Sequence, residues 1–457
     1  LSISTLKTDS RIKAKGIQSM LIKRTLGPFR KRRKWLARTQ WMTAEQINEL
    51  QTSLMISLIE NIFHNIPFYR SIMDSAGLTP SNFQTLQDIQ KMPILNKDTV
   101  RNNLDAMINT AVSPAMLHKA STGGTSSHPL PVYRDWRSIG NEHAFVRRQF
   151  DWAGLKLNDR CAYLTWRKVS SVNDKNSKYF AYDPAMHELI LSTYHLSQET
   201  AEQYLHAICR FKVKALVGYP SAIYSLAKFL GHTCRKAQLK AVLTSSEVLD
   251  DDIKAAIESR FGCPVFDFYG SAERTCYIHT CEKGSYHIIP EYGITELIPS
   301  SKPYEAFYKI VATGFWNNAM PFIRYDTQDM VSVSDNTCTC GRNYPVIDKI
   351  IGRESNTVTT RSGRKIGSTA MYRLCKNACS QIAKLPVTDI GVRSTKDGSL
   401  TLEYVPADSF SPSDRRKIHN IVVTELPNEL SLSTRRVSQL TKTKNGKCLS
   451  IIYPVHK

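Results

Sequence analysis

Five short stretches of the 457-residue chain combine residue types that can do chemistry. In Ser121-Thr122-Gly123-Gly124-Thr125-Ser126-Ser127-His128-Pro129, paired glycines let the backbone turn sharply and present amide donors. The flanking hydroxyls can add hydrogen bonds to phosphate oxygens. The same composition also makes ordinary loops, and the lysine of a Walker loop is absent, which argues against a P-loop fold. Asp267-Phe268-Tyr269-Gly270-Ser271-Ala272-Glu273 reads as a strand ending in a glycine turn and a carboxylate. Its aromatic could stack a base and its acid could hold Mg²⁺ near a phosphate, although a strand-end Tyr-Gly is also a common structural feature. Met320-Pro321-Phe322-Ile323-Arg324-Tyr325-Asp326-Thr327-Gln328-Asp329 closes on a carboxylate suited to accept from two ribose hydroxyls. Gly352-Arg353-Glu354 stands where the composition changes, and Lys442-Thr443-Lys444-Asn445-Gly446-Lys447 places a lysine on a glycine turn, ready for an anionic site.

A second kind of chemistry is suggested by cysteine and histidine. Cys281 and His287 follow the Tyr-Gly turn, and Cys338 and Cys340 precede Gly341-Arg342. Neither pair has the familiar two-residue spacer, but together they suit a tetrahedral Cys₃His zinc site. Four protein ligands leave no open position, so such a metal would be structural. Cys276 and His279 are nearby alternatives, and unpaired thiols or a redox role are the competing readings.

These residues need elements to position them. From Thr43, a plausible N-cap, Ile47, Leu50, Leu54, Leu58, Ile59 and Ile62 recur at helical spacing until Pro67. Between about 140 and 350, strand-like runs such as Ala215-Val217, Ala241-Leu243 and Val265-Phe268 alternate with helical stretches such as Tyr224-Leu230, which predicts α/β architecture. After Arg353 the pattern predicts a small α+β unit. It has a hairpin over Val387–Val392 and Ser399–Val405, a helix capped by Ser411 or Ser413 and running to Glu425, and a strand over Arg435–Leu440. The expected division is a basic arm over 1–40, a body over 41–353 and a C-terminal unit over 354–457.

Composition limits the function classes. An apolar content of 42% with 9% aromatics excludes a mainly disordered chain. No apolar run approaches the ~20 residues of a membrane span, no signal segment is apparent, and eleven scattered cysteines fit a reducing cytoplasm. The net charge of +21 is uneven: residues 1–40 hold 12 basic residues and one acid, while 41–353 hold 32 and 31. A near-neutral body argues against a specific nucleic-acid binder. Residues 11–38 could contact an anionic membrane surface, or be a solvated arm.

In their order along the chain, these motifs resemble the adenylate-forming (acyl-AMP) superfamily, and within it the phenylacetate–CoA ligase family with its capsule-biosynthesis relatives. Ile66-Pro67-Phe68-Tyr69-Arg70, Met92-Pro93-Ile94-Leu95-Asn96-Lys97, Val100-Arg101, Gly218-Tyr219-Pro220-Ser221 and Thr244-Ser245-Ser246-Glu247 extend the resemblance over nearly the whole chain from about residue 45.

The resemblance implies a large N-terminal domain of mixed sheets and flanking helices, with a small α+β C-terminal lid hinged just after Arg353. Thr122, Gly123, Gly124, Thr125 and Ser126 would embrace the ATP phosphates. Tyr269, with Gly270 and Ser271, would lie on the adenine near Ser245, Ser246 and Glu247, and Glu273 would bind Mg²⁺. Asp329 would grip the ribose, with Arg353 close to it, and Lys447 would bridge the substrate carboxylate and the α-phosphate. The acid pocket would be built around Tyr194, His195, Gly218, Tyr219, Tyr224 and Ala272, although core packing is the commoner role for such aromatics and for a histidine like His195. The implied activity is ATP-dependent formation of an acyl-adenylate from a small carboxylic acid, followed by transfer to CoA or a carrier thiol. The alternative acceptor is an amine or hydroxyl, such as an amino sugar. Two positions depart from the family pattern: Ser127 and His128 replace the usual Gly and Lys of the phosphate loop, and the hinge acid Glu354 stands one place early. Slower adenylation and an altered lid swing are the expected consequences. The expected location is the cytoplasm, with a peripheral position at the inner membrane surface as the alternative.

Overall fold

The computed structural model describes residues 20, 27–121, 130–165, 169, 179–231, 237–299, 307–333, 337–353, 358–359, 365–366, 375, 378–394, 399–425, 432–441 and 451–453. Among them the helices of eleven residues or more are α1 (Gly27–Thr39), α2 (Ala44–Asn65), α3 (Trp136–Trp152), α4 (Gln198–Arg210), α5 (Pro220–Leu230), α6 (Asp251–Phe261) and α7 (Pro412–Glu425). Thr43 caps α2 as its sequence predicts. The Gln46 amide donates to its Oγ1 at 3.3 Å and the Thr43 amide donates to Gln46 Oε1 at 3.0 Å, a reciprocal capping box. The helix stops at the extended Ile66, because the following proline disfavours helical backbone there.

In chain order the first strands are β1 (His118–Ser121), β2 (Pro131–Arg134), β3 (Cys161–Thr165), β4 (Phe180–Asp183), β5 (Glu188–Ser192), β6 (Ala215–Gly218) and β7 (Ala241–Ser245). Next come β8 (Val265–Gly270), β9 (Tyr277–Thr280), β10 (Tyr286–Ile288), β11 (Gly293–Pro299), β12 (Phe307–Gly314), β13 (Tyr325–Ser332), β14 (Val346–Ile347) and β15 (Lys349–Arg353). The last are β16 (Val358–Thr359), β17 (Lys365–Ile366), β18 (Val387–Ser394), β19 (Leu400–Pro406), β20 (Leu432–Arg436) and β21 (Ile451–Tyr453).

The central sheet has nine strands in the order β14-β10-β9-β8-β7-β6-β3-β5-β4. Its run β8-β7-β6-β3-β5 is parallel, and those strands are mostly apolar because helices cover both faces. On one face Tyr204 and Ile208 of α4, Ile223 and Leu226 of α5 and Ile257 of α6 pack with Leu164, Leu216 and Val242. On the other, Phe150 of α3 lies with Ala215, Ala241, Leu243 and Phe266. A second, antiparallel sheet, β11-β12-β13-β15, buries Ile294 and Tyr325 against Met55, Ile59 and Ile62 of α2. The smaller C-terminal unit is the sheet β20-β19-β18-β21, with Val392 and Leu402 packed on Ile418 and Val422 of α7.

Two expectations change. The strand expected over Arg435–Leu440 is β20, Leu432–Arg436, which runs parallel to β19 from Leu400 opposite Leu432 to Tyr404 opposite Arg436. Beyond Val437 the chain leaves the sheet, because Leu440 is drawn into the apolar cluster of the body and is only 7% exposed. The second change is in the basic arm, whose residues 27–39 form a packed helix. Phe29 and Leu36 of α1 are buried, Arg33 pairs with Asp151 at 3.2 Å, and Arg32 stacks on the Trp316 ring at 3.3 Å. Thr39 Oγ1 donates to Glu291 at 2.8 Å, and the same buried carboxylate accepts from Arg148 at 2.9 Å. No helix among the described residues is long and apolar enough to cross a membrane.

Candidate active site and metal cluster

The carboxyl ends of β6, β7 and β8 lie side by side, with Gly218 opposite Thr244 and Ser245 opposite Phe268. Ligands of open parallel sheets bind at this edge, where the strand-to-helix turns gather. Through Leu164 opposite Gly218 and Thr165 opposite Ser192, the row continues to the turn that holds Tyr194 and His195. Gly218 permits close packing here: a Cβ at that position would meet the Leu164 carbonyl oxygen at 2.4 Å. After β7 the backbone turns abruptly at Ser246, at φ +70°, and Glu247 reaches across to accept from the Ser221 amide at 3.0 Å. Arg274 and Gln328 are likewise non-glycine residues at positive φ, +58° and +61°. All three stand within one residue of a proposed nucleotide-site residue, and such backbone costs energy that the surroundings must offset.

Two tyrosine hydroxyls join the β8 turn to β13. Tyr269 donates to Asp329 Oδ2 at 2.7 Å, and Tyr325 donates to Glu273 Oε1 at 3.0 Å. Residues from two separate sequence motifs are thereby clasped together. Burial, and then the neighbouring Asp329 charge, push the Tyr269 hydroxyl well above its usual pKa, so it stays a donor. The Arg134 guanidinium donates to the Ala272 carbonyl, and burial followed by the nearby Arg274 lowers it to about 10, still cationic at neutral pH. Below the turn, a Cβ on Gly314 would stand 2.2 Å from the Arg274 carbonyl oxygen. The backbone carrying Glu273 therefore rests directly on β12. Arg134, Tyr325 and Gly314 were not singled out from the sequence. Only Tyr325, inside the third motif, offered a signal.

Beneath the site, Asp267 accepts from Thr244 Oγ1 at 2.6 Å and from the Tyr286 hydroxyl at 2.8 Å. Burial raises its carboxyl to about 7, against the opposing pull of those two bonds. Tyr219 and Tyr224 are buried, and Tyr224 belongs to the apolar cluster under α4 and α5, as a core aromatic would. His195 Nδ1 lies 2.8 Å from Ser192 Oγ, and its ring is 5.3 Å from Tyr179; Nε2 is buried with no hydrogen-bond partner among the described residues. Thr122, Gly123, Gly124, Thr125, Ser126 and Lys447 lie outside the described residues, as do Ser127, His128 and Glu354. Their flanks are described: Ser121 stands opposite Pro131 in the β1–β2 pair, and Thr441 and Ile451 lie on either side of the lysine stretch. Arg353 lies opposite Asp329 in the register of β15 and β13. For Arg353 and Tyr194 only the backbone is described.

Away from this edge, Cys281, His287, Cys338 and Cys340 converge so that their ligand atoms all lie within 4.8 Å of one another. Cys281 Sγ is 3.5 Å from Cys338 Sγ, and Cys340 Sγ is 3.4 Å from His287 Nε2. Three soft sulfurs and one imidazole, mostly buried, are the donor set that zinc prefers. Cys276 and His279 do not join them: Cys276 faces Thr295 Oγ1 at 3.4 Å, and His279 packs 4.4 Å from the Trp152 ring. The cluster is buttressed by Arg342, which pairs with Glu282 at 2.9 Å and donates to Gln40 Oε1 at 3.2 Å.

No family profile matches the chain. In sequence it is 24% identical over 316 residues to Protein CapK of Staphylococcus aureus, covering 68% of this chain and 69% of that one. It is 23% identical over 338 residues to the phenylacetate-coenzyme A ligase of Escherichia coli K12, covering 70% and 74%. The Thermus thermophilus enzyme of the same name is 21% identical over 332 residues, covering 69% and 72%. In structure it is similar to a 2-hydroxyisobutyryl-CoA ligase in the postadenylation state with 2-HIB-AMP, at TM-score 0.66 and 18% identity over 90% of both chains. The same ligase with 2-HIB-AMP and CoA in the thioesterification state gives 0.54. The nine-stranded sheet with its second antiparallel sheet, the smaller C-terminal unit and these comparisons agree: the chain has the fold of the acyl-AMP-forming CoA ligases and is similar in sequence to the phenylacetate–coenzyme A ligases and CapK.

Proposed function

We propose that the chain is an AMP-forming carboxylate ligase. A carboxylate oxygen of a small acid attacks the α-phosphorus of ATP, the bond to the bridging oxygen breaks, and pyrophosphate leaves. A thiol of CoA then attacks the acyl carbonyl, losing its proton as AMP departs with its bonding pair. The observation that carries this reading is the double clasp, Tyr269 to Asp329 and Tyr325 to Glu273, at the carboxyl edge of a parallel sheet. In it Asp329 binds the ribose, Tyr269 with Ser245 to Glu247 faces the base, and Thr122 to Ser126 hold the phosphates. Glu273 is the carboxylate that would hold magnesium. One protein carboxylate suits that ion, which takes its other ligands from phosphates and water. Lys447 supplies positive charge where the attacking carboxylate and the α-phosphate meet, and so stabilises mainly the transition state. The body is 41–353 and the lid 354–457. The acid lies along the ends of β6, β3 and β5, from Gly218, Tyr219 and Ala272 toward His195, in a cytoplasmic protein.

The test is ATP–pyrophosphate exchange over a panel of aryl, hydroxy, fatty and amino acids, with Lys447→Ala as control. Exchange that the control abolishes supports the reading, and no acid above the control sinks it. Product analysis with CoA against an amino sugar then assigns the acceptor.

Cys281, His287, Cys338 and Cys340 would hold a structural zinc, which when bound ties the turn after β9 to the segment before β14. Purification without a metal-affinity tag should give about one zinc per chain by metal analysis, and Cys338→Ser should release it. Less than a tenth of an equivalent in the wild type would refute the site.

A further inference from the structure

The helix α1 carries six basic residues, and the fold sorts them into two sets. Arg32 and Arg33 turn inward: Arg32 stacks on Trp316 and donates to Asn141 at 3.3 Å, and Arg33 bonds Asp151. Arg30, Lys31, Lys34 and Arg38 are all exposed, and none pairs with an acid among the described residues. At about 100° and 1.5 Å per residue, these four occupy an arc of roughly 100° along about 12 Å of helix. No acidic residue shares the helix. Trp41 follows immediately, 56% exposed, its indole held under the Arg342 guanidinium at 4.9 Å.

The stripe is rigid as well as basic. The opposite face of α1 is anchored by buried Phe29 and Leu36 and by the Thr39 bond to Glu291, so no folding is needed to assemble the four cations. The following turn is tied to the body as well: Gln40 accepts from Trp152 Nε1 at 2.9 Å, and Asn343 donates to the Met42 carbonyl at 2.9 Å. A flexible polycation would pay an ordering cost on binding that this helix has already met in folding. Upstream, residues 1–26 add six basic residues and one acid, so the charge continues beyond the helix in sequence.

We propose that this face of α1, with Trp41 at its end, is a docking surface for an anionic lipid membrane. Charge complementarity selects the partner, because a convex, acid-free row of cations meets the sheet of lipid phosphates without needing a groove to enter. The exposed indole distinguishes a membrane from a soluble polyanion, since tryptophan settles at the headgroup level with its ring in the apolar zone and its N–H in water. The inference stands on the helix and is independent of the ligase reading.

The test is co-sedimentation of the full chain with vesicles of phosphatidylcholine alone or with 30% phosphatidylglycerol. Binding should appear only with phosphatidylglycerol and disappear in 0.5 M NaCl. At roughly 5-fold per cation near an anionic surface, the quadruple variant Arg30→Gln, Lys31→Gln, Lys34→Gln, Arg38→Gln should bind at least 50-fold more weakly. It should keep the wild-type melting temperature, since the four side chains are exposed. Trp41→Ala should weaken binding several-fold. The proposal is overturned if the wild type does not bind, binds both vesicles alike, prefers duplex oligonucleotide to the anionic vesicles, or binds unchanged in the quadruple variant.

Discussion

At the residue scale, the site is organised by hydroxyl donors that fix carboxylates, and these bonds set measurable expectations. Tyr325→Phe removes the donor to buried Glu273 without changing shape. Leaving a buried acceptor short of a bond costs about 1–3 kcal/mol, so pyrophosphate exchange should fall at least 5-fold with a small loss of melting temperature. Unchanged exchange would mean that Glu273 needs no such fixing. Asp267 makes the opposite kind of statement. Its carboxyl is raised from an ordinary 3.8 to about 7, chiefly by burial, so the folded protein keeps a proton that the unfolded chain releases. The stability this proton confers is complete below about pH 4 and is lost as pH rises through 7. Asp267→Asn, whose amide like the protonated acid presents one acceptor and one donor to Thr244 and Tyr286, should therefore be more stable than wild type at about pH 8 and closest to it at about pH 4. Denaturant midpoints at the two pH values check the sign.

At the element scale, the stem of the lysine segment is held from two sides. Glu403 of β19, fully buried, accepts from the Thr441 amide at 3.1 Å and its hydroxyl at 2.6 Å, and from Arg393 Nε at 3.0 Å. One residue earlier, Leu440 is lodged in the apolar cluster of the body beside Val437. The smaller unit also meets α5 directly, where Lys228 pairs with Asp389 of β18 at 2.8 Å. Thr441→Val removes the hydroxyl donor to Glu403 and should cost about 1 kcal/mol. If the stem positions Lys447, the exchange rate should fall several-fold while the KM for ATP stays near wild type. A parallel rise in KM would assign the loss to general loosening of the unit.

At the scale of the whole molecule, α1 is part of the body's packing. Deleting residues 1–40 would uncover the surface under Phe29 and Leu36, each worth roughly 2 kcal/mol of burial, and would remove the Thr39 donor from Glu291. The truncated protein should melt several degrees lower than the full chain. Equal melting of the two would show that α1 adds nothing to the fold. The buried Arg148–Glu291 pair lies under this helix, with Tyr344 donating to the same carboxylate at 2.5 Å. A buried charge left short of partners is costly, which adds to the expected loss.

Much of this organisation was legible in the sequence because it is local. Alternating apolar runs and helical stretches gave β6, β7, β8 and α5, since a strand buried on both faces is mostly apolar. Thr43 and Pro67 bounded α2 through capping and the steric effect of proline. The order of the five motifs pointed to the superfamily, and the spacing of Cys281, His287, Cys338 and Cys340 pointed to their convergence. What the sequence could not settle depends on distant partners. Arg30 and Arg32 are chemically identical, and only the position of Trp316, nearly 300 residues away, makes one a packing residue and the other a surface cation. β20 ends early because Leu440 finds a body core that no local pattern announces. Asp329 and Glu273 come together through Tyr269 and Tyr325, whose hydroxyls act across two sheets. Periodicity and capping are encoded within a few residues of chain, so the sequence alone determined them. Which face is buried and which carboxylate is fixed depend on long-range contacts, so only the tertiary structure decided them.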